Sequence, residues 1–323
     1  MIERSVVTKV HSTRRGLGLA LLSAATFGTS GTFASSLIDA GWTPAAAVTV
    51  RVSLAAVILS IPALVQLRGR WRLLRSNAKV VGTYGLIAVA ACQLCFFYAV
   101  QHLSVGVALL LEYLGVILVV FWMWIRHGHR PRRLTTGGAV CAIVGLGLVL
   151  DLTGSRVDFV GVIWGLCAAA GLAVFFVLSA STDESLPPLA MAWAGMAVGA
   201  VVLISAGLLG AVQLHAPRVA VRFLHHDVNW VVPVLGLSLI AAVVAYVVGI
   251  GAARLLGAKV SSFVGLTEVL FAVLFAWLLL AQVPTAMQVL GGLFIIAGVS
   301  LVRVDDLRDQ SHPAKLPDIE LVS

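Results

Sequence analysis

The chain has 323 residues, of which 60% are hydrophobic and only 11% are charged, with a formal net charge of +8. Soluble domains carry about 25% charged residues, so an ordinary water-soluble globule is excluded. The basic residues sit in short connections between apolar runs, which argues against a nucleic-acid partner and for a bilayer.

Ten apolar runs follow in chain order, at about 17–38, 45–67, 79–100, 104–125, 134–151, 159–180, 188–210, 230–250, 260–281 and 285–302. About twenty residues cross a bilayer as a helix. Backbone groups in lipid must bond within their own segment, so runs of this length predict helices rather than open strands. The first run follows Arg14 and Arg15 and is too long for the apolar part of a cleaved signal peptide, so it is expected to remain as a span. Turn chemistry punctuates the runs at Gly41–Pro44, Arg130-Pro131-Arg132, Leu186-Pro187-Pro188 and Val283-Pro284. Pro62 and Pro233 fall inside spans two and eight and predict kinks there. The longest connection, about 211–229, mixes apolar and basic residues and is expected to lie on the outer membrane surface. The stretch after Val304 is polar and is expected to be a disordered cytoplasmic tail.

Cys92 and Cys95 form a CxxC inside a predicted membrane helix, and Cys141 and Cys167 also lie in apolar runs. Without a second CxxC they read as small apolar fillers, not as a metal or redox site. His127, His129, His225 and His226 fall in loops and read as solvated residues. No metal and no cofactor is expected. The chain has no GxxxxGK[ST] loop, so ATP is not expected to drive it directly.

Charge placement predicts orientation. With the N-terminus in the cytoplasm, eighteen Lys and Arg fall on the cytoplasmic side. Three (Arg156, Arg218 and Arg222) fall outside, and Arg51 lies within span two. That bias predicts both termini inside.

The two halves resemble each other. LGLALLSAATFG (17–28) matches VGVIWGLCAAAG (160–171), with Gly18 over Gly161, and LEYLGVILVVFW (111–122) matches TEVLFAVLFAWL (267–278), with Glu112 over Glu268. Gly138 and Gly145 share their spacing with Gly291 and Gly298. Five spans per half is an odd number, so the second copy enters the membrane from the other side. The predicted fold is all-α integral membrane, with ten transmembrane helices as two inverted five-helix repeats. Residues 1–152 and 153–303 are the repeats, and 304–323 the tail. Two GxxxG pairs, Gly161/Gly165 and Gly195/Gly199, predict close helix contacts, chiefly within the bundle.

Glu112 and Glu268 are costly where they stand. A charged residue at the centre of a span costs roughly 2.5–3.5 kcal/mol to insert. Each lies about eight residues from one end of its run, roughly 12 Å deep at helical rise. Arg51 lies at a depth similar to that of Glu112, and an intramembrane pair between them would lower the cost of both. The matching position in the second half is Gly195, so Glu268 lacks such a base and is expected to be able to bind and release a proton. Gln93 and Tyr246 occupy roughly equivalent positions in the two halves and offer hydrogen-bonding groups to the interior. Tyr113 adjoins Glu112 but points about 100° away on a helix, so only one of the two is expected to face a given cavity. The candidate substrate-binding or coupling residues are therefore Glu112, Glu268, Arg51, Gln93, Tyr246 and Tyr113. A packing role for the two glutamates remains a rival reading.

The five-plus-five repeat, the short basic connections and the closing segment LLLAQVPTAMQVLGGLFIIAGVSLV (278–302) resemble the EamA-type carriers of the drug/metabolite transporter superfamily. Glu112, Tyr113 and Gly115 in span four are similar to the threonine/homoserine exporter subgroup. The family often has proline where this chain has Val116 and Val269, and Gly-Glu where it has Ala281-Gln282. The resemblance implies a secondary carrier of the bacterial plasma membrane that exports a small polar metabolite such as an amino acid, driven by protons or by the substrate gradient. The partners are then the lipid bilayer, a small-molecule substrate and protons, with a homodimer left open. The alternatives are a drug-efflux carrier and an integral-membrane enzyme using the buried carboxylates.

Overall fold

The computed structural model describes residues 2–127, 133–149, 158–181, 186–223 and 226–310. Each of the ten apolar runs lies on helix. Helix α1 (Ile2–Asp39) turns at Gly41, where φ is +92°, into α2 (Pro44–Gln66). Thr43 caps α2, its Oγ1 accepting from the Ala46 N–H at 3.3 Å, and Pro44 fills a first-turn position where a missing N–H costs nothing. Short helices α3 (Trp71–Ser76) and α4 (Ala78–Thr83) lead into a π-helical segment, Tyr84–Ala91, which continues as α5 (Cys92–His102). The fourth run is broken at Leu114 into α6 (Val105–Tyr113) and α7 (Gly115–His127), and the fifth is α8 (Arg133–Val149).

The second half opens with α9 (Phe159–Ser181) and α10 (Pro188–Leu208). It continues through α11 (Val231–Leu235) into a second π-helical segment, Gly236–Val244, and then α12 (Ala245–Gly265), α13 (Thr267–Leu280) and α14 (Ala286–Gln310). Helix α12 bends at Gly257, whose φ of +78° suits glycine. Seven of the helical stretches are long and apolar enough to cross a membrane, and Val105–Val119 and Ala286–Gly298 are shorter apolar ones.

Three features differ from the sequence reading. Helix α1 begins at Ile2, well before the apolar run, and α14 continues to Gln310 rather than giving way to a tail at 304. The rest of the tail lies outside the described residues, as do the Arg130-Pro131-Arg132 turn, His129 and His225. The long connection is also not a simple surface strip, because it contains a β-hairpin, β1 (Ala220–Phe223) with β2 (His226–Asn229), antiparallel with Val221 opposite Val228. Val221 and Phe223 are buried, and the Phe223 ring stacks on Phe33 of α1 at 5.3 Å. The Trp42 Nε1–H donates to the Pro217 carbonyl at 2.9 Å, and the Thr43 hydroxyl donates to the Gln213 carbonyl at 2.6 Å. The hairpin thus lies over the end where α1 meets α2.

Every main contact between the halves has a counterpart. Helix α1 packs on α12 and α13, and α9 packs on α5, α6 and α7; α2 packs on α10 and α8 on α14. Both GxxxG pairs serve these contacts. A Cβ on Gly161 would lie 2.8 Å from His102, and one on Gly195 would lie 2.6 Å from the Tyr84 ring. The structure also sets the register of the repeat. Gln93 and Tyr246 are 153 residues apart. The same spacing, to within one residue, relates the two π segments and the breaks at Leu114 and Leu266. In α1 and α9, Gly16 meets Leu255 and Leu256, whereas Gly161 meets His102 and Leu103, so Gly16 rather than Gly18 corresponds to Gly161. In this register Glu112 aligns with Val264 and Glu268 with Val116, about one helical turn from the expected pairing of the two glutamates. Gly-, Ala- and Leu-rich helices match in more than one register, and the contacts decide between them.

A Cβ at Gly115 would lie 2.3 Å from the Ala169 carbonyl oxygen, a backbone atom that cannot move alone. Gly115→Ala is expected to lower stability by about 1–3 kcal/mol through overpacking. Gly18→Ala, with nothing within 4 Å of its Cβ, is expected to leave stability unchanged or raise it by up to about 1 kcal/mol. Unfolding of the two variants in the same detergent checks both.

Candidate functional site

Several interior polar groups converge on one cavity between the halves. Its empty space, mouth included, is about 660 Å³. Helix α1 contributes Ser23, Phe27 and Ser30, at i, i+4 and i+7 on one face. Gln93, Glu112, Tyr113, Tyr246 and Glu268 all line it. Five of the six predicted site residues are therefore brought together.

The sixth, Arg51, lies behind the cavity wall and is 1% exposed. It does not pair with Glu112. Its Nη1 donates to the Ser30 hydroxyl at 2.6 Å and to Gln93 Oε1 at 2.5 Å, and its Nη2 donates to the Ala241 carbonyl. The guanidinium also sits 5.7 Å from the Phe97 ring centroid. Similar depth was not enough for an ion pair, because Gln93 on α5 reaches the guanidinium first and α2 packs toward α10 rather than α6.

Gln93 and Tyr246 hydrogen-bond to each other, Nε2 donating to the hydroxyl at 3.0 Å. Two residues at equivalent positions can touch only near the axis relating the copies, so this bond marks that axis. The surrounding bonds come in matched pairs. The Cys92 thiol donates to the Ala168 carbonyl at 3.4 Å, and the Ser23 hydroxyl to the Ala245 carbonyl at 3.0 Å. The Tyr246 hydroxyl reaches the Ala88 carbonyl at 3.4 Å, as Arg51 reaches that of Ala241. Ala88 and Ala241 lie in the two π segments, whose wide turns divert carbonyls from the ordinary helical ladder.

The two carboxyl groups are held differently. Glu112 is 6% exposed, and its only hydrogen-bonding contact among the described residues is the Cys92 thiol at 3.4 Å, a weak donor whose single proton is shared with the Ala168 carbonyl. Glu268 is half-buried, and its Oε2 accepts from the Tyr113 hydroxyl at 2.7 Å. Tyr113 and Glu112 line the same cavity, contrary to the expectation that only one would. The cavity is wide enough to span both directions, and α6 ends at Tyr113. Gly265 makes room for the phenol, since a Cβ there would lie 3.1 Å from its oxygen.

Sequence reasoning missed Ser23, Phe27, Ser30, Cys92 and Phe175. The seven-residue spacing of Ser23 and Ser30 was a usable signal for one polar helix face. Cys92, read as filler, donates to a carboxylate. Near the hairpin end, His102 Nδ1 lies 2.9 Å from Asp158. The Asp158 carboxylate also accepts from the Val160 and Gly161 N–H groups at the start of α9. The Gly161 N–H and the His102 ring hold this carboxyl below its ordinary value.

Comparison with known proteins agrees with this architecture. The model of the EamA-like transporter family matches the chain twice, over residues 14–151 and 159–304. No curated protein matches it. A solved structure described only as "Crystal structure of protein" is similar at 18% identity, with a TM-score of 0.61 over 91% of this chain and 98% of that one. That likeness speaks for the fold alone.

Arg51→Lys keeps the charge but loses the planar fork that reaches three acceptors. Each lost charged hydrogen bond is worth about 1.5–3 kcal/mol, so the variant is expected to lose at least about 2 kcal/mol of stability. Thermal unfolding in nanodiscs measures it. An unchanged midpoint would show that the buried network is not needed for the fold.

Proposed function

The chain belongs to the EamA-like transporter family, and on that premise we propose that it is a secondary carrier moving a small molecule by alternating access. The observation that supports this best is the cavity between the two halves, lined by two carboxyl groups and flanked by broken and π-helical segments. Carriers built from repeats place their sites between the repeats, on helices interrupted at the site.

In this reading all ten helical runs cross the bilayer and the second repeat is inverted. Helix α1 ends at the hairpin end, where Trp42 and Thr43 meet the long connection, whereas α9 begins there, with Asp158 bonded to His102. The cytoplasmic side is the far end, where most Lys and Arg lie, and the membrane is the bacterial plasma membrane. Export and an amino-acid cargo enter from the resemblance of span four to the threonine/homoserine exporters, a subgroup in which no comparison places the chain. Glu268 exchanges the coupling proton. One charge crossing 100 mV gains about 2.3 kcal/mol, equal to roughly fiftyfold concentration work, so one proton suffices. A drug-efflux carrier is the second reading, favoured by the aromatic cavity lining.

Two measurements test this. In proteoliposomes, Glu268→Gln is expected to abolish accumulation driven by a pH gradient while passive counterflow continues; full gradient-driven accumulation would sink the coupling role. In a cysteine-free background, Arg15→Cys at the start of the first apolar run and Phe159→Cys at the start of α9 are expected to react with an impermeant maleimide from opposite sides of the membrane. Labelling from one side would rule out inversion.

A further inference from the structure

The cavity lining defines the charge of the molecule it can hold. Its two ionisable acids, Glu112 and Glu268, are not matched by a base: among the described residues no Lys, Arg or His lines it. The nearest cation, Arg51, is buried behind Ser30 and Gln93, with both its terminal nitrogens already donating. A substrate carboxylate would therefore find only hydroxyl and amide donors, beside two acids. Glu112 is more than nine-tenths buried and faces the cavity with a single weak thiol contact. A buried carboxylate this poorly satisfied is costly and favours a strong donor from a ligand.

The apolar part of the lining is aromatic. Phe27, Phe175 and Tyr246 form a corner, with Phe27 and Tyr246 at 4.9 Å, Phe175 and Tyr246 at 5.6 Å, and Phe27 and Phe175 at 6.2 Å, all edge to face. Ring faces attract cations, and attract them more strongly when water is excluded. Carboxyl groups and aromatic rings around one cavity suit an ammonium group on an apolar body.

We propose that this cavity recognises a small organic amine as a cation, through Glu112 and the Phe27–Phe175–Tyr246 corner, in preference to a zwitterionic amino acid. The inference rests on the carrier reading for movement across the membrane, but not for binding.

Phenethylamine, phenylalanine and 3-phenylpropionate share a phenyl group on a short stem and differ in charge. Equilibrium binding of radiolabelled phenethylamine to the protein in nanodiscs is expected to be displaced at least tenfold more effectively by unlabelled phenethylamine than by phenylalanine, and not by phenylpropionate. Glu112→Gln is expected to weaken amine binding at least tenfold and Phe175→Leu severalfold, with Glu112→Asp closer to the parent. Should Glu112→Gln fail to fold, the Phe175→Leu and Glu112→Asp pair carries the test. Phenylalanine binding as tightly as the amine overturns the proposal, and so does no amine binding at millimolar concentration. Amine binding without counterflow in liposomes upholds this inference and overturns the carrier reading. Counterflow of phenylalanine in preference to the amine does the reverse.

Discussion

Lipid offers no hydrogen bonds, so polar groups in this bundle turn to the chain itself for partners. Arg51 meets that constraint in its most demanding form. Uncompensated, a buried guanidinium costs several kcal/mol; here it is surrounded by neutral dipoles from three other elements. Ser30 fixes α1, Gln93 fixes α5, and the Ala241 carbonyl fixes the second π segment. One side chain on α2 thereby ties both halves together at their centre. Nε has no hydrogen-bond partner among the described residues, so Phe97 and the three acceptors carry the compensation. Because the acceptors are neutral, the network leaves both glutamates without a hydrogen bond to Arg51.

The apolar runs made the helices legible in the sequence, and glycine, proline and threonine at Gly41–Pro44 marked a turn correctly. Period and length carry that information locally. What was not legible depends on how helices face one another. The Arg51–Glu112 pair followed from depth alone, and depth says nothing about rotation. The alignment of Glu112 with Glu268 followed from a match between low-complexity helices, and contacts such as Gly161 against Leu103 move the register. Neither π segment has a sequence mark, because a widened turn reflects which carbonyl is drawn aside by a partner elsewhere. The hairpin escaped notice because its alternation is only four residues per strand. Gln93 and Tyr246 were placed correctly as an equivalent pair, since their spacing survives the change of register.

The matched hydrogen bonds describe the frame, and the mismatched residues describe the site. The Cys92–Ala168 and Ser23–Ala245 bonds join equivalent positions with donor and acceptor exchanged, and Arg51 and Tyr246 donate to equivalent π-segment carbonyls. Against that frame the acids are asymmetric, since neither Glu112 nor Glu268 has an acid at its equivalent position. A scaffold needs the symmetry so that two related conformations have similar energy. Under the carrier reading a site needs to break it, because cargo and coupling ion must each meet particular groups.

The same hydrogen-bond economy selects which contacts can open under the alternating-access reading. Separating α1 from the second π segment would pull Ser30 and the Ala241 carbonyl apart around Arg51, at about 1–3 kcal/mol for each group left bare. The contacts over the hairpin end are of another kind. Thr43 bonds to Gln213 and His215 in exposed surroundings, and water can take over each bond at little cost. The Phe33–Phe223 stack is the main apolar contact to be lost there. Opening is therefore cheapest at the ends of the bundle, with the Arg51 network and the Gln93–Tyr246 bond acting as the fulcrum. The breaks at Leu114 and Leu266 lie next to the acids, so motion about that fulcrum changes the surroundings of Glu112 and Glu268 first.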